Sequence, residues 1–166
     1  MSEKKLVIDH LTLEYNGLFS CNELYRTIDG YIKEKGYNKF EKRNIEQVTP
    51  SGKHIELELN PWKTITDYTK IWMKITILMT NVKEVEVEKD GVKVKLNQGN
   101  VHIVFDGYVE TDKENKWEGT PTFVFLRTLI DKYVIRRYVQ SWEEEITEDI
   151  MHLNSLLKGF LNLYRY

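Results

Sequence analysis

The chain has 166 residues, 41% hydrophobic and 30% charged, with a formal net charge of -2. Those proportions fit one globular domain large enough to bury a core, and they exclude a disordered chain. Near-neutrality offers no basic surface of the kind nucleic acid demands, and the single cysteine, Cys21, excludes an internal disulfide and a multi-cysteine zinc site.

The first apolar run, Leu6 to Ile8, meets Asp9 too soon for a signal peptide, and no window offers the roughly 18 apolar residues of a membrane span. The expectation is a cytoplasmic protein with no membrane span, no cofactor and no metal. Leu6–Tyr15 reads as a strand, with Leu11, Leu13 and Tyr15 alternating against Thr12 and Glu14. Gly17 punctuates it. Ser20 and Glu23 have the spacing of a capping box, in which each side chain takes an orphaned amide at a helix start. Leu24, Ile28, Tyr31 and Ile32 follow at helical spacing and Gly36 stops them, which predicts a helix over 21–35.

From Asn38 the period changes to two. Asn38–Val48 reads as a polar strand, Thr49-Pro50-Ser51-Gly52 as a turn, and His54–Leu59 as a strand with one wet face that Asn60-Pro61 ends. Thr66–Thr80 is the longest strand candidate, apolar at every odd position from Ile71 to Met79. Val82–Leu96 reads as a hairpin around Asp90-Gly91, a pair suited to tight turns. Asn97–Asn100 reads as a further turn and Val101–Val109 as the last strand, with Gly107 as a bulge or close-approach site. After a charged loop at 112–119, Thr120-Pro121 starts a helix whose apolar residues continue to Tyr164. One straight helix of that length would run on the order of 65 Å. Ser141 and Glu144 repeat the capping-box spacing, so a break is expected near Gln140–Trp142. The part before it is expected to grip the sheet, and the part from Trp142 to run past the sheet toward a partner.

The predicted fold class is α+β, a single domain over 1–166. A curved antiparallel sheet of about seven strands fills 1–119, with the helix at 21–35 inserted, and the helical region 120–164 covers it. This element order resembles the helix-grip fold of the START-like (SRPBCC) superfamily. The resemblance implies a sheet that grips the C-terminal helix, with a cavity between them for an apolar, lipid-like small molecule. The apolar faces read above would line it: Leu57, Leu59, Met73, Ile75, Ile77, Met79 and Phe105 from the sheet, and Leu126, Ile130 and Tyr133 from the helix. Paired methionines suit an adaptable pocket, although the same residues would equally form a packed core.

The function expected on that reading is non-enzymatic carriage of the small molecule. The alternative is a protein-interaction or assembly module, acting through the C-terminal helices and an exposed aromatic strip, as a homo-oligomer or with another protein. Its candidate interface residues are Tyr68, Trp72, Trp142 and Phe160, since exposed Trp and Tyr are enriched at interfaces. Lys70 and Lys74 interleave with Tyr68 and Trp72, a pattern able to stack bases, but the net charge disfavours nucleic acid. No catalytic residue is assigned. No phosphate loop, HExxH, CxxC or GxSxG pattern occurs, and His10, His54, His102 and His152 are scattered singly. His102 and Asp106 share one strand face but stand roughly 13 Å apart at strand rise, too far for a hydrogen-bonded pair.

Overall fold

The structure, a computed structural model, describes residues 2–67, 69–112 and 136–164. Its elements are β1 (Ser2–Phe19), α1 (Cys21–Glu34), β2 (Glu41–Thr49), β3 (Gly52–Leu59), β4 (Trp62–Thr66), β5 (Thr69–Lys89), β6 (Val92–Asp112) and α2 (Arg136–Asn162). The fold is α+β, as composition and period suggest. The strands form one open antiparallel sheet in the order β1-β6-β5-β3-β2. β4 shares with β3 the edge of β5 that faces away from β6: β4 pairs at Thr69–Trp72 and β3 at Ile75–Val82.

Among the described residues the sheet has six strands rather than about seven. Two expected boundaries are absent because β5 and β6 each run unbroken for 21 residues. At the first boundary the chain bulges instead of turning. Asn81 takes a left-handed φ of 54° and the register slips between Thr80 and Lys83. At the second, Asn97–Asn100 stays in the ladder, paired with Phe19–Asn16 on β1. Asn and Gly favour turns locally, but here hydrogen bonds to strands on both sides outweigh that preference. Gly99 has a different purpose. A Cβ there would stand 2.9 Å from the Thr80 carbonyl oxygen and 3.1 Å from Val82 Cα, so the glycine makes room for the bulge. The true hairpin turn is Asp90-Gly91, both left-handed at 53° and 77°, which matches the twist of the strands that Lys89 and Val92 close. β4 falls where no strand was expected, after Pro61. Asn38 holds its start through two backbone hydrogen bonds with Trp62, of 2.7 and 3.0 Å.

α1 begins as its sequence predicts. Ser20 Oγ accepts the Glu23 amide at 3.3 Å, while the Glu23 carboxylate pairs with Arg26 instead of returning to the cap. Gly36, at φ 78°, ends it with the Tyr37 amide on the Ile32 carbonyl and its own on Lys33.

The break expected near Gln140–Trp142 does not occur: α2 is continuous from Arg136 to Asn162. Ser141 costs about 0.5 kcal/mol of helix propensity. Against that, the four-residue step from Tyr138 to Trp142 to Ile146 keeps one stripe in phase, with the Tyr138 and Trp142 rings 6.3 Å apart. The stripe continues through Ile150, Leu153, Leu157 and Leu161, all fully buried. The segment from Trp142 onward therefore covers the sheet and does not run past it. The sheet is simply longer than expected: 21-residue strands reach about 70 Å, against about 40 Å for a 27-residue helix. Burying five such side chains contributes on the order of 10 kcal/mol before entropy, and that packing is what holds α2 in place. Most of the part expected to grip the sheet, which runs to about Tyr138, lies outside the described residues, at 120–135.

α2 docks on α1 and the inner sheet face together. Tyr37 Oη donates to Asp149 Oδ2 at 2.8 Å, Tyr31 Oη donates to the Asp149 carbonyl at 2.7 Å, and Lys35 Nζ stands 3.4 Å from Asp149 Oδ1. A buried carboxylate needs such partners. Lys5 with Glu143 and Lys63 with Glu145 pin the helix's first turns to β1 and β4.

Candidate functional site

The inner face comes first, because most of the expected binding residues lie on it. Leu57, Leu59, Met73, Ile75, Ile77, Met79 and Phe105 all belong to the core cluster, with α1 and α2 against them. Met73 and Phe105 are 0% exposed and Met79 is 5% exposed. Leu126, Ile130 and Tyr133 lie outside the described residues. A concavity of about 240 Å³ sits elsewhere, between the start of α1, Tyr164 and the β5–β6 hairpin, lined by Val87, Val94 and Leu96. Cys21, near that end of α1, keeps its sulfur 3.8 Å from Met79 Sδ, and burial pushes its thiol up to about 11. That disfavours the thiolate form a nucleophile needs.

The outer face, away from both helices, presents a different surface. Cross-strand pairing puts opposite residues on the same side of a sheet. Trp62 of β4 faces Trp72 of β5, Trp72 faces Tyr108 of β6, and Tyr108 faces Leu6 of β1. The result is an aromatic and apolar row across four adjacent strands. Trp72 and Tyr108 stack, with centroids 4.2 Å apart and planes 12° from parallel, and Lys4 Nζ lies 5.4 Å from the centroid of the Trp72 ring. The ends of the row are open to solvent, Trp62 at 39% and Leu6 at 44%.

Charges flank the row on both sides. Toward the start of β5, Glu110 sits between Lys4 at 3.9 Å and Lys70 at 3.6 Å. On the other side, Glu58 lies between Lys42 at 3.2 Å and Lys74 at 4.0 Å. The lysines that interleave with the aromatics are thus already paired with carboxylates, which leaves little net charge for phosphate. His102 pairs with Glu14 at 3.2 Å and Asp106 with His10, so the two are not partners of each other. Tyr68 lies outside the described residues. Trp142 and Phe160 stand half-buried on α2, packed against the core.

Trp62, Leu6 and Tyr108 were missed at the level of sequence. Trp62 sits on a five-residue strand next to a proline, and no local period reveals it. Tyr108 and Leu6 acquire their neighbours only when β6 pairs with β1. The chain matches no protein-family model, and no curated protein matches it.

Among the described residues, no helix is long and apolar enough to cross a membrane.

Proposed function

We propose that the protein is a protein-interaction module that docks a protein partner through the outer face of its sheet, with Trp72 at the centre of the contact. The row Leu6–Tyr108–Trp72–Trp62 carries this reading. It spans four strands, stands opposite the core, and leaves its two ends exposed. Tryptophan and tyrosine dominate binding hot spots, because a large rigid ring desolvates much area for little lost rotamer freedom. Mixed charge on both flanks supplies the polar rim of such an interface.

Carriage of an apolar small molecule, the reading that the helix-grip resemblance implies, needs room beside Met73 and Met79. Those side chains have almost no solvent-accessible surface, so the observations favour the docking face.

The test removes the exposed ends of the row, where the fold has least to lose. Trp62→Ser and Leu6→Ser, singly and together, are compared with the wild-type chain by light scattering for self-association and by capture of a partner on the immobilised chain. Loss of a hot-spot tryptophan is expected to weaken the contact by about 2 kcal/mol or more, roughly thirtyfold in affinity. A wild-type chain that stays monomeric and retains no partner sinks the reading, as does a double variant that associates like the wild type.

A further inference from the structure

The outer face carries a second feature beside the aromatic row, where β1 bulges. The register of β1 on β6 slips between Leu6 and Ile8 and again between Ile8 and Leu11, and His10 takes a left-handed φ of 51°. On a regular strand, neighbouring residues point to opposite faces. The bulge brings the side chains of both Asp9 and His10 over Asp106 of β6. Asp106 is 4% exposed, while the side chains of Asp9 and His10 are 66% and 75% exposed. Asp106 Oδ1 accepts the His10 backbone amide at 2.8 Å and stands 3.4 Å from His10 Nδ1. Asp9 Oδ1 meets that same Nδ1. One ligand atom from each of the three residues lies within 4.8 Å of the other two.

We propose that Asp9, His10 and Asp106 form a binding site for a divalent first-row transition-metal ion. One imidazole nitrogen and two carboxylate oxygens suit a borderline ion such as Zn²⁺, whose bonds to these donors are about 2.0–2.2 Å. At about 2.1 Å per bond, two ligands of a tetrahedral ion stand about 3.4 Å apart, which is the separation of His10 Nδ1 and Asp106 Oδ1. Asp9 is exposed and can swing out from Nδ1 to the third position, and water completes the solvent side. Two carboxylates facing one imidazole leave a charge that a dication neutralises, and Asp106 is largely shut away from the water that would otherwise screen it. Lys74 lies opposite Asp106 in the ladder, and its Nζ stands 4.0 Å from Glu58 Oε1. Calcium and magnesium favour sites made of oxygen alone and are not expected to compete. The site does not rest on the docking reading.

Calorimetric titration of the full chain with Zn²⁺ tests it, with Ca²⁺ as the control. His10→Gly removes the imidazole at a backbone angle that glycine adopts freely. Asp106→Asn keeps an acceptor for the His10 amide. The wild type is expected to take up one equivalent, and each variant to bind more than about tenfold more weakly, while circular dichroism shows both folded. His102→Ala, which breaks the separate His102–Glu14 pair, is expected to leave the titration unchanged. No heat from the wild type overturns the site, as does undiminished binding by His10→Gly or a loss confined to His102→Ala.

Discussion

His10 shows how much one residue's chemistry depends on its place in the ladder. In the sequence it is one of four scattered histidines next to an aspartate. In the sheet it sits at a double register slip, with its amide on a buried carboxylate and its ring between two. Those carboxylates raise its pKa above the ordinary 6.5, so the folded chain binds the proton more tightly than the unfolded one. By linkage, the resulting increment of stability is complete below about pH 6.5 and is lost as the pH rises through the raised folded value. With a chelator present, thermal melts of the wild type should fall across that window relative to His10→Gly. Superimposable pH profiles for the two would contradict this. This environment was invisible in sequence because Asp9 and Asp106 stand far apart along the chain and only strand pairing joins them.

At the scale of elements, Gly107 determines how closely α2 approaches the sheet. Its expected role as a close-approach site agrees with the packing: a Cβ there would lie 2.7 Å from Ile150 Cδ1 and 3.3 Å from Ile146 Cγ1. Gly107→Ala is expected to cost about 1–3 kcal/mol by overpacking, and Ile150→Val about 0.5–1.5 kcal/mol by itself. The double variant removes the Ile150 methyl that the added Cβ would strike, so it should cost less than the sum. Urea unfolding of the four chains measures that coupling, and strict additivity would mean that the two groups do not meet. The start of α1 was readable from Ser20 and Glu23, and its end from Gly36, because caps are local chemistry. The continuity of α2 was not readable. Ser141 and Glu144 look the same whether a helix begins there or passes through, and the outcome depends on the length of the sheet beneath.

For the whole molecule, pairing sets a gradient of stability across the sheet. β6 has β1 on one side and β5 on the other, with Val101, Ile103 and Phe105 buried between them and the helices. Among the described residues, β2 pairs only with β3, and it is exposed along nearly its whole length. Amide exchange should therefore be slowest in β6 around Ile103–Phe105 and fastest along Glu41–Gln47. Equal protection of the two strands in a monomeric sample would sink this ordering.

Alternation and caps in the sequence by itself were enough to determine the α+β class, the first helix, the Asp90-Gly91 hairpin and the apolar inner face. Each of these depends on residues within a few positions of one another, where period and turn chemistry act directly. Tertiary structure decided the rest. It joined four expected strands into two, because ladders on both sides override a local preference for turning. It laid the second half of the C-terminal stretch on the sheet, because the longer sheet had room for it. It assembled Leu6, Tyr108, Trp72 and Trp62 into a row, and Asp9, His10 and Asp106 into a cluster. No local pattern encodes those neighbours, since they meet only through the register of β1 on β6, β6 on β5 and β5 on β4.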